Sequence, residues 1–318
     1  MTGIPTTRLV TIFGGSGFLG RHMVRALAND GWRIRVVVRR PNNALFLRPM
    51  GRVGQIQLVK ANVQDEEAVR AALKGAAAAI NLVAVLYQSR NQRFESLHVE
   101  AAERIARAAS ELGVKRLLHV SALGIAGSAS RYAQTKALGE ERVRAEFPDA
   151  TIFRPSTVFG PEDDFFNKFG WLARLSPALP LIGGGKTKFQ PVFVGDVARA
   201  AAKVLGDAST AGKIYELGGP EIMTLKEVME LTLKETRRNR LLLPIPFGLA
   251  RVQGAVLGLL PKPLLTLDQV RMLESDAVVS EGALTFRDLG IVPEAPGAII
   301  PSYLWRFRKH GEFEPATS

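Results

Sequence analysis

The sequence contains no cysteine among its 318 residues. Without a thiol, the chain can form no disulfide, no thiolate nucleophile and no cysteine-based zinc site. The four histidines show no metal-ligand spacing either, and we predict no metal site. The lack of cysteine suits a reducing compartment, and we expect a cytoplasmic protein.

Long apolar runs are also missing, since no stretch reaches the roughly 18 uncharged residues of a membrane-spanning helix. The start, MTGIPTTRLVTIFGG, lacks the basic region, apolar centre and cleavage site of a secretory signal. We therefore expect neither a spanning helix nor export. Peripheral attachment to the cytoplasmic face of an inner membrane stays open.

Acidic residues are scarce in the first 60 positions, which hold ten Lys or Arg and one acid, Asp30. The whole chain carries a formal net charge of +12. Such a charge favours anionic partners: a phosphorylated cofactor, an anionic membrane surface or an acidic protein face. A solvated basic surface is the alternative for most of these side chains. No helix-turn-helix or aromatic-interleaved basic motif is present, so we expect no nucleic-acid partner.

What the sequence does contain is a regular alternation of β-branched runs and helical stretches through its first half. RLVTIFG, RIRVVVR, IQLVKANV, AAAINLVAVL and KRLLHVSAL predict strands separated by helices. This rhythm predicts an α/β fold with a doubly wound parallel sheet. We expect a dinucleotide-binding domain over 1–155 and a smaller, mixed C-terminal region over 156–318, partly folded back onto the sheet.

The loop GGSGFLG stands between the first predicted strand and the first predicted helix. Gly14, Gly17 and Gly20 are three residues apart, while Gly15, Gly17 and Gly20 fit the G-x-G-x-x-G spacing. Glycines there permit a tight turn, a close approach of backbone to a pyrophosphate, and tight helix-strand packing. We predict a dinucleotide site.

Arg39 and Arg40 end the second predicted strand, where NAD-binding proteins carry an acid for the ribose 2′-hydroxyl. Guanidinium groups complement a 2′-phosphate. The arginines therefore favour NADPH or NADP+ over NAD, with plain solvation of a strand end as the alternative.

Tyr132 and Lys136 are spaced i, i+4 on one predicted helix face. Lys136 could hold a nicotinamide ribose and lower the pKa of the phenol, which could then exchange a proton during hydride transfer. The bland interpretation is a structural pair, because this spacing is common.

The segments GGSGFLG, NLVA (81–84), HVSALG, YAQTK and FRPSTVFGPEDDF together resemble the short-chain dehydrogenase/reductase superfamily, on its extended or atypical side. Within it, residues 8–235 are most similar to the group of the nucleotide-binding accessory subunit of respiratory complex I and its bacterial relatives. The resemblance implies a Rossmann fold and tightly held NADPH. It places Gly14, Gly15, Ser16, Gly17, Phe18 and Leu19 at the pyrophosphate, Arg39 and Arg40 at the 2′-phosphate, Asn62 and Val63 at the adenine, Tyr132 and Lys136 at the nicotinamide ribose, and Leu82, Val83, Ala84, Pro155 and Val158 elsewhere along the cofactor.

Enzymes of the superfamily place a Ser or Thr beside the tyrosine, and here the pair is Ser121-Ala122. Depending on register, the catalytic hydroxyl is either Ser121 or missing. The resemblance thus implies a structural or assembly role in complex I. The alternative is an NADPH-dependent reductase, dehydratase or epimerase that acts on a small or lipid-like substrate, with Tyr132 as acid/base.

Other features of the second half have simple interpretations. The apolar stretch FGLARVQGAVLGLL (247–260) is expected to be buried in the protein's own core. Alternatively it docks on a membrane or another subunit, with Arg237, Arg238 and Arg240 facing anionic groups. We expect Glu162, Asp163 and Asp164 in a solvated loop, with an ordered loop over a substrate cleft as the alternative. Asp196 is expected to be a helix N-cap.

Overall fold

The computed structural model describes residues 8–89, 92–261 and 263–313. The start of the chain, where we expect no secretory signal, lies partly outside these residues. The strands are β1 (Leu9–Phe13), β2 (Arg33–Val38), β3 (Ile56–Lys60), β4 (Ala78–Asn81), β5 (Arg116–Val120), β6 (Thr151–Pro155), β7 (Val158–Phe159), β8 (Ala178–Ile182), β9 (Lys188–Phe189), β10 (Val192–Phe193), β11 (Ile214–Leu217), β12 (Met223–Thr224) and β13 (Leu241–Ile245). The α-helices are α1 (Phe18–Asn29), α2 (Glu66–Leu73), α3 (Ala101–Glu111), α4 (Arg131–Glu146), α5 (Phe166–Leu175), α6 (Val194–Gly206), α7 (Leu225–Glu235), α8 (Phe247–Leu257), α9 (Leu267–Met272), α10 (Pro296–Ile299) and α11 (Pro301–Leu304).

Seven strands pair in parallel to form the central sheet, in the order β11-β6-β5-β4-β1-β2-β3. The chain runs outward from β1 to β3, then returns to place β4 on the other side of β1. The strand order therefore reverses between β1 and β4, and open α/β sheets bind ligands at the carboxyl ends of such a switch point. The predicted doubly wound sheet is confirmed.

Helices cover both faces of this sheet. Val36 packs in the core formed with α1 and α6, whereas its neighbour Val37 packs on the opposite face, in the core formed with α2, α3 and α4. Successive side chains of a strand point to opposite faces, so a strand covered on both sides is apolar throughout. This explains the unbroken VVV of β2.

The fourth strand is shorter than we predict. AAAINLVAVL suggests a strand to residue 86, but β4 ends at Asn81 because the Asn81 Oδ1 accepts a hydrogen bond from the Val83 N–H at 3.0 Å. A side-chain oxygen bonded two residues ahead turns the backbone out of the strand. Leu82 to Val85 become a loop at the carboxyl edge of the sheet.

The second half contributes β11 to the central sheet and forms three two-stranded sheets, β7 with β10, β9 with β12, and β8 with β13. Its own core is aromatic: Phe159 and Phe166 pack against Tyr303, Leu304 and Phe307 from the C-terminal end. The boundary at residue 155 stays a prediction.

Helix α8 lies on the surface, so the expected burial of the 247–260 stretch is wrong. Only Ala250 and Gly254 of this helix are buried, while Val252 and Val256 are 61% and 62% exposed. The buried pair faces α9, and a Cβ on Gly254 would lie 2.9 Å from the Leu267 backbone nitrogen. Among the described residues, no helix has the length and apolar character to cross a membrane.

Candidate dinucleotide site

The predicted site residues converge on the carboxyl edge of the central sheet, since each group follows a strand. Gly14 to Leu19 connect β1 to α1; Arg39 and Arg40 follow β2; Asn62 and Val63 follow β3; Leu82 to Ala84 follow β4; Ser121 follows β5; and Pro155 and Val158 lie in β6 and β7. Tyr132 and Lys136 lie on α4, whose start faces the same edge.

The glycine loop turns at Gly14, whose φ of 82° lies in the left-handed region that favours glycine. This assigns the turn to Gly14 and not Gly15, which the sequence left open. Gly20 packs α1 onto the turn, because a Cβ there would lie 2.5 Å from both the Gly14 carbonyl oxygen and the Gly15 Cα. The predicted role of the third glycine is thus visible in the packing.

The N-terminus of α1 begins after Gly17 without a side-chain cap among the described residues, and its first turn contains no acid. The first N–H groups of a helix have no intrahelical partner and carry partial positive charge. This open end suits a pyrophosphate, so the residues present fit a dinucleotide.

Arg39 and Arg40 are both exposed directly after β2. The guanidinium of Arg39 contacts the side-chain amide of Gln92, whose oxygen accepts hydrogen bonds from Nη1 and Nη2 at 2.5 and 2.9 Å in the orientation that satisfies both groups. The segment from residue 31 to residue 64 contains no Asp or Glu. Nothing in it would repel a phosphate.

Tyr132 and Lys136 lie together beneath the surface, 7% and 2% exposed. Lys136 Nζ donates a hydrogen bond to the Val120 carbonyl oxygen at 2.6 Å, which leaves two of its three donors for a ribose. Burial lowers the pKa of Lys136 to about 8, against the opposing charge of Glu140. Burial raises the pKa of Tyr132 to about 12, the reverse of the lowering that we predict from Lys136.

The register of β5 decides which of Ser121 and Ala122 faces the tyrosine. Leu117 packs in the core on the α4 side and Leu118 in the opposite core. The Ser121 N–H donates to the Phe153 carbonyl, so the alternation continues past the strand end and directs Ser121 to the α4 side. Its Oγ is buried with no partner among the described residues, as a hydroxyl awaiting a ligand oxygen would be.

Asp268, which our sequence interpretation missed, caps the helix that carries Tyr132. Its Oδ1 accepts from the Arg131 N–H at 2.6 Å and its Oδ2 from the Tyr132 N–H at 3.0 Å. The T-x-x-Q capping box of Thr266 and Gln269 is readable in the sequence and marks the start of α9. That Asp268 would bind Arg131, which lies 137 residues earlier, is not indicated by any local sequence pattern.

The expected solvated loop is found only in part, because Glu162 and Asp164 are exposed but Asp163 is buried. Asp163 is 3% exposed and its carboxylate accepts hydrogen bonds from the N–H groups of Gly160, Phe165 and Asn167 and from the Tyr303 hydroxyl. The Glu162 Oε2 lies 3.0 Å from Nε2 of His22, a residue of α1. The loop therefore joins α1 to the C-terminal end of the chain.

The expectation for Asp196 is wrong in detail. Asp196 is not the N-cap of α6, a position that Phe193 holds; it lies in the first turn, fully buried, and accepts from the Glu294 N–H at 2.7 Å. Arg238 and Arg240 donate from Nε to the carbonyl oxygens of Phe307 and Ala173, so part of each guanidinium serves the protein's own backbone.

These features define a nicotinamide-dinucleotide-binding protein of the α/β class. The model of the NAD dependent epimerase/dehydratase family matches residues 10–218, and the chain belongs to this family.

Among individual proteins, the chain is 38% identical over 316 residues to the mitochondrial NADH dehydrogenase [ubiquinone] 1 alpha subcomplex subunit 9 of Arabidopsis thaliana, covering 95% of this chain and 79% of that protein. It is 35% identical over 202 residues to a ceramide reductase of Caulobacter vibrioides, covering 64% of this chain and 61% of that protein. An NADPH-dependent quinone oxidoreductase from Escherichia coli, solved with NADPH, has the same fold, with a TM-score of 0.73, 22% identity, and coverage of 93% of this chain and 99% of that chain.

Proposed function

We propose that this protein is an NADP(H)-binding accessory subunit of respiratory complex I, in which the nucleotide stabilises the fold and is not turned over. The observation that carries the proposal is the closed Tyr132 site. The tyrosine is 7% exposed, its helix start is capped by Asp268 from the second half, and burial raises its pKa to about 12. A phenol so covered exchanges protons poorly at neutral pH.

The similarity to complex I subunits over nearly the whole chain supports the partner, because it includes the second half, where a docking surface would lie. Helix α8 and the residues just after it provide an exposed apolar face: Leu249 in the helix and Leu259 beyond its end are 54% and 86% exposed, in addition to Val252 and Val256. An apolar face of this kind marks an interaction site. We assign it to another subunit or to the membrane surface beside the complex, on the cytoplasmic face of an inner membrane.

Co-purification tests this proposal. A tagged chain is recovered from gently solubilised membranes of its host, and bound proteins are identified by mass spectrometry. We expect complex I subunits in stoichiometric amounts. The variant with both Val252→Ser and Val256→Ser should lose them, whereas Val53→Ser, at an exposed turn far along the chain, should retain them. Recovery of the wild-type chain alone, from the soluble fraction, would overturn the assignment.

The proposed preference for NADP(H) over NAD(H) is supported by Arg39 and Arg40, which lie in a segment without carboxylates. We predict that Arg39→Ala weakens NADPH binding about tenfold and changes NADH binding less than about twofold, since one charge-assisted contact is lost. Calorimetric titration with both nucleotides measures this. Arg33→Ala is the matched control, because Arg33 begins the same strand at the opposite edge of the sheet. An unchanged NADPH preference in Arg39→Ala would refute the assignment.

A reductase acting on a small or lipid-like substrate is the second candidate, favoured by one observation. The Ser121 Oγ, which has no partner among the described residues, lies on the same side of the sheet as Tyr132 and Lys136, so all three groups of the enzymatic members are present. In that case substrate-dependent oxidation of NADPH would be found in the wild type and lost in Tyr132→Phe, with nucleotide affinity unchanged. No oxidation across a panel of carbonyl substrates would exclude this candidate.

A further inference from the structure

His98 is buried between the loop after β4 and the helix that carries Tyr132. It lies in a π-helical segment, Glu95–Glu100, and is 1% exposed. Its ring stacks on Phe94, with centroids 5.1 Å apart, and meets the Tyr132 ring edge-on at 5.2 Å. A Cβ on Gly139 of α4 would lie 1.9 Å from the His98 carbonyl oxygen, so the two helical segments are in close contact.

Both ring nitrogens of His98 are used. Nε2 accepts a hydrogen bond from the Val85 N–H at 3.1 Å, which fixes the proton of the neutral ring on Nδ1. Nδ1 lies 3.0 Å from the Thr135 Oγ1 and donates to it. The hydroxyl in turn reaches the Arg131 carbonyl at 2.9 Å. A chain of hydrogen bonds thus runs from the loop, through one imidazole, to α4.

The loop that His98 holds is a wall of the dinucleotide site. Its first residue, Leu82, donates its N–H to the Phe13 carbonyl at 3.0 Å. A Cβ on Gly14 would lie 3.1 Å from the Leu82 carbonyl carbon, so the loop packs directly against the glycine turn. Its far end, Val85, is held by His98. Loss of the imidazole would therefore free the loop at Val85, while Leu82 would stay bonded to Phe13.

We propose that His98 is a positioning residue for the nicotinamide half of the dinucleotide, because it sets the separation between the Leu82–Val85 loop and α4. The proposal rests on the dinucleotide binding proposed above. In a doubly wound sheet the dinucleotide crosses the switch point, with one mononucleotide on each side. Arg39 and Asn62 lie on the β2-β3 side, where the adenine half belongs. His98 lies on the β4-β5 side, where Tyr132 and Lys136 await the nicotinamide ribose.

Three substitutions separate the functions of the imidazole. His98→Gln places an acceptor near the Nε2 position, His98→Asn places a donor near the Nδ1 position, and His98→Phe keeps a ring without either. Affinities are measured by calorimetry for NADPH and for 2′,5′-ADP, which carries the adenine half and the 2′-phosphate but no nicotinamide.

We expect His98→Phe and His98→Asn to weaken NADPH binding about tenfold, because the Val85 N–H loses its acceptor, and His98→Gln to weaken it less than about threefold. Binding of 2′,5′-ADP should change less than about twofold in all three. Thr135→Val cuts the same chain at its other end, and it should also weaken NADPH and spare 2′,5′-ADP.

Two results would overturn the role of His98. NADPH affinities of His98→Phe and Thr135→Val equal to that of the wild type would show that the imidazole positions nothing. Equal losses for NADPH and 2′,5′-ADP would show a general loss of structure. A wild-type protein that binds neither ligand would instead refute the proposed function, and the inference with it.

Discussion

The helices α1 and α4 both begin at the carboxyl edge of the sheet, and their N-termini are capped in opposite ways. The start of α1 has no side-chain cap among the described residues and no acid in its first turn. The start of α4 is closed, with Asp268 accepting from the Arg131 and Tyr132 N–H groups and Ser130 accepting from the Ala133 N–H. Both ends attract negative charge. The start of α1 leaves room for the negative charge of a ligand, whereas the start of α4 already receives the negative charge of the Asp268 carboxylate.

The difference separates two uses of the same backbone feature. At α1 the two features that suit a phosphate, the glycine turn and the uncapped helix start, both lie within Gly14–Gly20. At α4 the cap comes from α9, so it joins the two halves of the chain directly over Tyr132. The same backbone feature is thus left uncapped at α1, where a ligand phosphate would fit, and used at α4 to attach the second half of the chain.

The open end depends most on Gly20, and its substitution has the largest expected effect. In Gly20→Ala the new Cβ would lie 2.5 Å from the Gly14 carbonyl oxygen and the Gly15 Cα, which are backbone atoms that cannot move aside cheaply. We predict a loss of about 3 kcal/mol in the free energy of unfolding. NADPH binding should be lost as well, because α1 would be displaced from the turn.

Urea unfolding and calorimetry measure both effects. Gly248→Ala is the control, since that glycine also lies in a helix and a Cβ there meets nothing within 4 Å. It should leave stability unchanged or raise it by about 0.5 kcal/mol. Equal stability of Gly20→Ala and the wild type would contradict the close packing of α1 on the turn.

The open end was predictable from sequence and the closed end was not. GGSGFLG lies within seven consecutive residues, and its position between strand and helix follows from local periodicity alone. Asp268 and His98 act on residues 137 and 37 positions away, and such pairings arise from the folding of the whole chain. No local sequence pattern predicts which side chain will make such a long-range contact.

The burial of individual side chains also could not be predicted from the periodicity of the sequence. FGLARVQGAVLGLL is apolar enough to be buried in a core. In the structure, α8 contacts α9 only along a narrow strip at Gly254, and the rest of its apolar surface is exposed to solvent. Asp163 reads as a loop acid, yet it sits buried with four hydrogen-bond donors around it. Three of the donors to Asp163 are local, but the Tyr303 hydroxyl lies 140 residues further along the chain, and no periodicity predicts that contact.

The α4 side of the site should also respond to pH. Burial lowers the pKa of His98 to about 3, with the charge of Lys136 adding to the effect, and it lowers the pKa of His119 in the same direction. In the unfolded chain, where histidine pKa values are about 6.5, the two imidazoles take up protons more readily than in the folded chain. Stability is therefore fully present above about pH 6.5 and falls as the pH drops towards 3.

For His98 alone we predict a loss of about 2 kcal/mol between pH 7 and pH 5. Urea unfolding of the wild type and His98→Gln at both values measures it, because all other titrating groups are shared and cancel in the comparison. The wild type should lose about 2 kcal/mol more than the variant does. Parallel losses in the two proteins would mean that His98 takes up its proton equally well in the folded state.

The smallest expected effect tests the closed end itself. Asp268→Ala removes the acceptor of two N–H groups at the start of α4, and we predict a loss of about 1 kcal/mol in the free energy of unfolding. Asp65→Ala is the matched control, since the Asp65 Oδ1 caps α2 by accepting from the Ala68 N–H. Its cost in stability should be similar.

Hydrogen exchange distinguishes the two variants. Asp268→Ala should speed exchange of the Arg131 and Tyr132 amides, whereas Asp65→Ala should speed exchange at the start of α2 and leave α4 protected. Because Asp268 belongs to α9, the same variant should also loosen α9 from α4, and amides of α9 should exchange faster. If α4 stayed fully protected in Asp268→Ala, Ser130 alone would suffice as its cap. The contrast between the two helix ends would then rest on α1 alone.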